Sequence, residues 1–179
     1  MKRLLKKLFN KYIRFQEIDC SHELISLGSE YGNWKFLNFS SLNNSTIISA
    51  GVGEDISFDI EFINLFSGNV ILVDPTPRAI NHFDEVLNNL GKSKSQEYLK
   101  GGLQNTESYD LKNITSDNLV LYKKALWDKK NKNLKFYFPE NSSFVSNTLI
   151  KKSLFIKSKN FMFVETVQIS EIIKNEKIN

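Results

Sequence analysis

The chain has 179 residues, 41% of them hydrophobic and 12% aromatic, which is the size and composition of one folded domain and not of a disordered chain. One cysteine, Cys20, excludes an internal disulfide framework and points to a reducing compartment; with only His22 and His82 beside it, an ordinary structural zinc site is excluded too. The net charge of +4 is mildly basic and gives no argument for nucleic acid, and the longest apolar runs fall far short of a membrane span.

In chain order, "MKRLLKKLFNKYIRF" carries Lys2, Arg3, Lys6, Lys7, Lys11 and Arg14 against Leu4, Leu5, Leu8, Phe9, Tyr12 and Ile13 at helical spacing. This is a cationic amphipathic helix, assigned to residues 1–20, packed on the domain by its apolar stripe or lying on an anionic membrane surface through residues 1 to 14. The remainder, 21–179, reads as one domain. In "SHELISLGSEYGNWKF", Gly28 and Gly32 mark a turn with a short strand on one or both sides. "SLNNS" is a polar loop, "TIISA" a buried β-branched strand, and "GVG" the loop after it. "EDISFDIEFINLF" places Ile56, Ile60, Ile63 and Leu65 near helical spacing behind acids in the first turn. "VILV" is a second buried strand, "DPTP" a turn, and "RAINHFDEVLNNLG" a helix with Gly91 as its C-cap.

The alternation over residues 46 to 91 predicts a parallel sheet with right-handed crossovers. Residues 92 to 118 read as a loop region with few apolar anchors and room for a short helix. "NLVLYKKALWD" is a third strand ending in a turn, "KNKNLKFYFP" a strand after a hairpin-like connection, and "NSSFVSNTLIKKS" irregular. "FMFVETVQI" is a further strand, and "SEIIKNEKIN" a helix with Ser170 as N-cap.

The informative stretch is "SAGVGEDISFD". A strand, a glycine turn and a helix N-terminus make a nucleotide-type site at the carboxyl end of a parallel sheet. Gly51 allows a tight turn and Gly53 a close approach of backbone to ligand. The third glycine of a dinucleotide loop is missing, and Glu54 and Asp55 stand where a pyrophosphate would sit. Two carboxylates there suit a ligand with a cationic end, such as S-adenosylmethionine. Asp74 closes the second strand about twenty residues on, where a ribose acceptor is needed. Each part has a plainer reading: glycines serving only a turn, acids serving the helix dipole, Asp74 forming a turn before Pro75. Order and spacing together favour the cofactor site. A nicotinamide-binding oxidoreductase is disfavoured by the two acids.

"LGSEYGNW", "ISAGVGEDISFDIEF", "VDPTPRAI", "ALWD" and "LKFYFP" resemble the FkbM-type methyltransferases, from about residue 25 onward. The resemblance implies a class I, S-adenosylmethionine-dependent enzyme with a three-layer, Rossmann-like, mostly parallel α/β sheet, acting on a hydroxyl of a sugar, glycan or related metabolite. It implies that Gly51, Val52 and Gly53 line the methionine part of the cofactor, with Glu54 and Asp55 at its edge. Asp74 would accept from the ribose, Pro75 and Thr76 border the adenosine, and Ala125 and Leu126 lie near the adenine. It identifies "YGNW" (Tyr31 to Trp34) as an upstream element of the family, whose plainer reading is a core-packing turn. The family's domain continues with a "D-x-E-G" element that this sequence lacks, so the sheet is expected to be incomplete here. A non-catalytic remnant of the fold, binding a partner or a membrane, is the alternative. No metal and no catalytic base is assigned; His82 reads as a surface or helix-packing residue. The expected location is the cytoplasm, with peripheral contact at the inner membrane surface.

Overall fold

A computed structural model describes residues 23–129, 133–139, 147 and 160–178. The expected basic helix over residues 1 to 14, the connection at 130–132 and nearly all of the irregular stretch 141–153 lie outside these residues. The described chain is mixed α/β. Two short strands, β1 (Leu24–Leu27) and β2 (Trp34–Leu37), pair antiparallel as a hairpin. Next come β3 (Thr46–Ala50), α1 (Ser57–Phe66), β4 (Asn69–Val73) and α2 (Pro77–Leu87), then β5 (Leu119–Tyr122) and β6 (Ala125–Leu126). The series ends with β7 (Leu134–Tyr137), β8 (Phe161–Val164), β9 (Thr166–Val167) and α3 (Ile169–Asn175).

Strands β3, β4 and β5 form a three-stranded parallel sheet in that order. Its middle strand, β4, is apolar on both faces because both are covered. Val70 and Leu72 join a core with Ile60, Phe62, Ile63 and Phe66 of α1 and Phe83 and Val86 of α2. Ile71 and Val73 join a second core with Val167 and with Ile172 of α3. Helical side chains therefore pack against each face of β4. Strand β3 is half-buried, and not buried as its composition predicts, because it forms an edge of this sheet.

Several boundaries differ from the sequence reading. Helix α1 starts at Ser57 and not at Glu54, because the Glu54 backbone is taken up in a bridge with Leu103. Pro77 opens α2 one residue earlier than expected, with Thr76 as N-cap: its hydroxyl accepts from the Ala79 N–H at 3.3 Å. The same helix ends at Leu87, and Gly91 is no C-cap; its N–H donates to the Leu111 carbonyl at 2.9 Å. The expected third strand is two, β5 pairing with β4 and β6 with β9, and "FMFVETVQI" likewise divides into β8 and β9. Gln168 caps α3, with Ser170 inside its first turn.

The segment 92–118 is better anchored than its polarity implies. Tyr109, Leu111 and Ile114 are buried in the first core. The Tyr109 hydroxyl accepts from the Ile56 N–H at 3.2 Å and meets His82 Nε2 at 2.9 Å, so one side chain ties this segment to the start of α1 and to α2. His82 is thus a buried packing residue, and burial lowers its pKa, which keeps it neutral. Among the described residues no helix is long and apolar enough to cross a membrane. Tyr109→Phe strands the buried Ile56 N–H and the His82 nitrogen; urea unfolding is expected to show a loss of about 1–3 kcal/mol.

Candidate functional site

A cleft of about 900 Å³ opens at the carboxyl ends of β3 and β4. All of the residues expected to bind a cofactor line it: Gly51, Val52, Gly53, Glu54, Asp55, Asp74, Pro75, Thr76, Ala125 and Leu126. The parallel pairing brings them together, because β3 and β4 run in step and release their loops on the same side. Gly51 and Gly53 both take left-handed φ angles, +80° and +58°, and the space where each would carry a Cβ is open.

The acids are held in different ways. Asp74 Oδ2 accepts from the Gly53 N–H at 3.1 Å, and Oδ1 from the Thr76 N–H at 2.8 Å and its hydroxyl at 2.7 Å. It therefore fixes the glycine loop against the end of β4. Glu54 forms an ion pair with Arg78 at the start of α2. Asp55 Oδ1 accepts from the Ser57 N–H at 3.0 Å, which supports the N-terminus of α1. Its Oδ2 accepts from the Ser29 hydroxyl at 2.6 Å and, more distantly, from Gln104 Nε2 at 3.5 Å. Gly32 of the β1–β2 hairpin is needed beside this carboxylate: an added Cβ would lie 2.6 Å from Asp55 Oδ2.

Tyr31 and Trp34 do not form a core-packing turn. They are 61% and 66% exposed and stand in the lining of the cleft. Trp127 lines it as well, so both tryptophans of the chain face this space.

The residue that sequence reasoning passed over is Asp59, in the first turn of α1. It lines the cleft, yet it is only 3% exposed. Ser49 of β3 lies near enough to its carboxyl to favour the charged form, and Oδ1 has no hydrogen-bond partner. Burial pushes its pKa from 3.8 up to about 7, with Asp55 adding to the rise and the Ser49 contact opposing it. The signal was present in the sequence. Asp59 lies three residues after Ile56 and four before Ile63, so it is an acid on the stripe that α1 buries.

The cleft therefore carries Glu54, Asp55, Asp59 and Asp74, and among the described residues no Lys or Arg lines it. Among the described residues no group of His, Cys, Asp and Glu is placed to hold a metal ion. No protein-family model, curated protein or solved structure matches the chain.

The elevated pKa of Asp59 has a consequence for stability. Its folded value lies above 3.8, so the folded protein holds a proton that the unfolded chain releases, and stability falls as pH rises between the two values and levels off above about 7. Asp59→Asn removes this penalty. Its gain in melting temperature is expected to be absent near pH ~4 and largest above pH ~7, at roughly 2–4 °C per kcal/mol relieved, measured by calorimetry across that range.

Proposed function

We propose that the chain binds S-adenosylmethionine in this cleft, on a Rossmann-like α/β sheet, and serves methyl transfer to a hydroxyl of a sugar, glycan or related metabolite. The observation that carries the reading is the charge of the cleft: at the carboxyl ends of parallel strands its lining holds four carboxyl groups, one of them paired with Arg78, and no Lys or Arg among the described residues. A pyrophosphate there would meet repulsion of about 1 kcal/mol from each nearby carboxylate even in a water-like setting. A nucleoside bearing a sulfonium and an ammonium suits the same field.

The residues fit such a group. The open space at Gly51 and Gly53 lets a ligand approach the backbone closely. Asp74 keeps acceptor capacity for a ribose hydroxyl, since each carboxylate oxygen has two lone pairs and Oδ2 uses one on Gly53. Ala125 and Leu126 offer an apolar surface for a base. When bound, the cofactor supplies an electrophilic methyl carbon; the chain's part is to hold an acceptor oxygen in line with it and to exclude water. Tyr31 and Trp34 give the cleft an exposed aromatic flank against which an acceptor ring can lie.

Calorimetry with S-adenosylhomocysteine is expected to show binding, accompanied by a change in tryptophan emission because Trp34 and Trp127 face the cleft. Gly53→Arg, a change at a site with room for a side chain but unfavourable φ, should weaken binding at least about tenfold. NADH should not bind. A preference for NADH would replace this reading with an oxidoreductase, and a folded chain that binds neither would be a non-catalytic module.

A further inference from the structure

We infer that Asp59, and not the acids that open the helix, is the carboxylate that receives the ammonium group of the ligand. The inference rests on the proposal that the cleft takes an S-adenosylmethionine-type nucleoside, and it assigns the one contact that would select the amino-acid end of that molecule.

The other carboxylates of the cleft are already engaged. Glu54 is neutralised by Arg78, while Asp55 and Asp74 each accept from neighbouring backbone and hydroxyl donors through both oxygens. Asp59 differs. It is more than nine-tenths buried, it lines the cleft, and Oδ1 has no donor; Asn147 Oδ1 in the same lining lacks one too but carries no charge, and Glu54 Oε2 has Arg78. Buried polar atoms are nearly always paired, so an orphan oxygen in a cleft wall marks a place where a donor arrives from outside the protein. The donor that gains most there is a cation. Asp55 lies four positions earlier and raises the negative potential at Asp59, and among the described residues no lysine or arginine lines the cleft to compete for the position.

The titratable neighbours add no positive charge. Asp55 stands in front of the first turn, Tyr109 lies across from it with its hydroxyl held by the Ile56 N–H and His82, and burial keeps His82 neutral. Ser49 of β3 is the neighbouring hydroxyl, and it favours the charged form of the carboxyl. A neutral or half-ionised Asp59 in the free protein then becomes fully ionised when an ammonium group pairs with it, and a proton is released to solvent.

Two ligands separate this contact from the rest of the site. S-adenosylhomocysteine carries the amino-acid end; 5′-methylthioadenosine keeps the adenosine and the thioether and lacks it. Calorimetry on the wild-type chain should favour S-adenosylhomocysteine by at least about tenfold. In Asp59→Asn, and in Asp59→Ala as a second variant without a side-chain amide, that preference should vanish while 5′-methylthioadenosine binds as before. Wild-type affinity for S-adenosylhomocysteine should fall as pH drops below about 7, by up to about tenfold per unit, and the Asp59→Asn profile should be flat. A preference that survives both variants, or an equal weakening of both ligands, overturns the role of Asp59 and leaves the proposed function standing. A wild-type chain that binds neither ligand overturns both.

Discussion

The architecture of the cleft depends on one carboxylate that no ligand need ever touch. Asp55 joins three segments distant in sequence: the β1–β2 hairpin through Ser29, the N-terminus of α1 through Ser57, and the loop before residue 106 through Gln104. Gly32 of the hairpin lies against this carboxylate, where a side chain would collide with it. Ser29 N–H returns a bond to the Ser57 hydroxyl at 2.7 Å, and Gly28 N–H reaches Glu61 at 2.7 Å, so the hairpin is held to α1 by polar contacts along one edge. Such a buried network specifies one arrangement only if all its members are satisfied, and here the members at Asp55 are.

The acids of the cleft therefore differ in what they are free to do. Read as a sequence, Glu54 and Asp55 look like the charges presented to a ligand. In the folded chain they are largely spent on the protein itself, one on Arg78 and one on the hairpin and helix. Asp59 is the opposite case: a carboxyl kept on an apolar stripe at a cost to stability, with one oxygen unused. Strain of this kind, carried where packing alone would have chosen a hydrocarbon, is what separates a site from a scaffold.

Much of the central α/β unit was legible because its signals are local. The run "TIISA" matches β3 residue for residue, "VILV" is β4 less its first residue, and the acids and Pro77 lie at the helix starts. The glycine loop and Asp74 were legible as a pair because parallel strands in register must deliver their loops to one edge. What stayed hidden is long-range. Nothing near residue 109 in the sequence announces that its hydroxyl will serve Ile56 and His82, and polarity concealed the anchoring of 92–118. The splitting of "NLVLYKKALWD" and "FMFVETVQI" follows from strands changing partners, which periodicity does not record. The aromatic flank of Tyr31 and Trp34 was misjudged by the usual association of large rings with burial.

The two-sided burial of β4 also bears on alignment of the strand. A strand with one polar face resists sliding by a single residue, because sliding would turn hydrocarbon outward. Val70, Ile71, Leu72 and Val73 offer no such resistance, since either face accepts any of them. A fixed point is supplied at the strand's end, where Asp74, oriented by Thr76, accepts from Gly53 of the loop after β3. A displacement of one position would carry that carboxylate away from Gly53, while its bonds to Thr76 would move with it. The residue that shapes the mouth of the cleft is thus also the pin that tells the central strand where to stop.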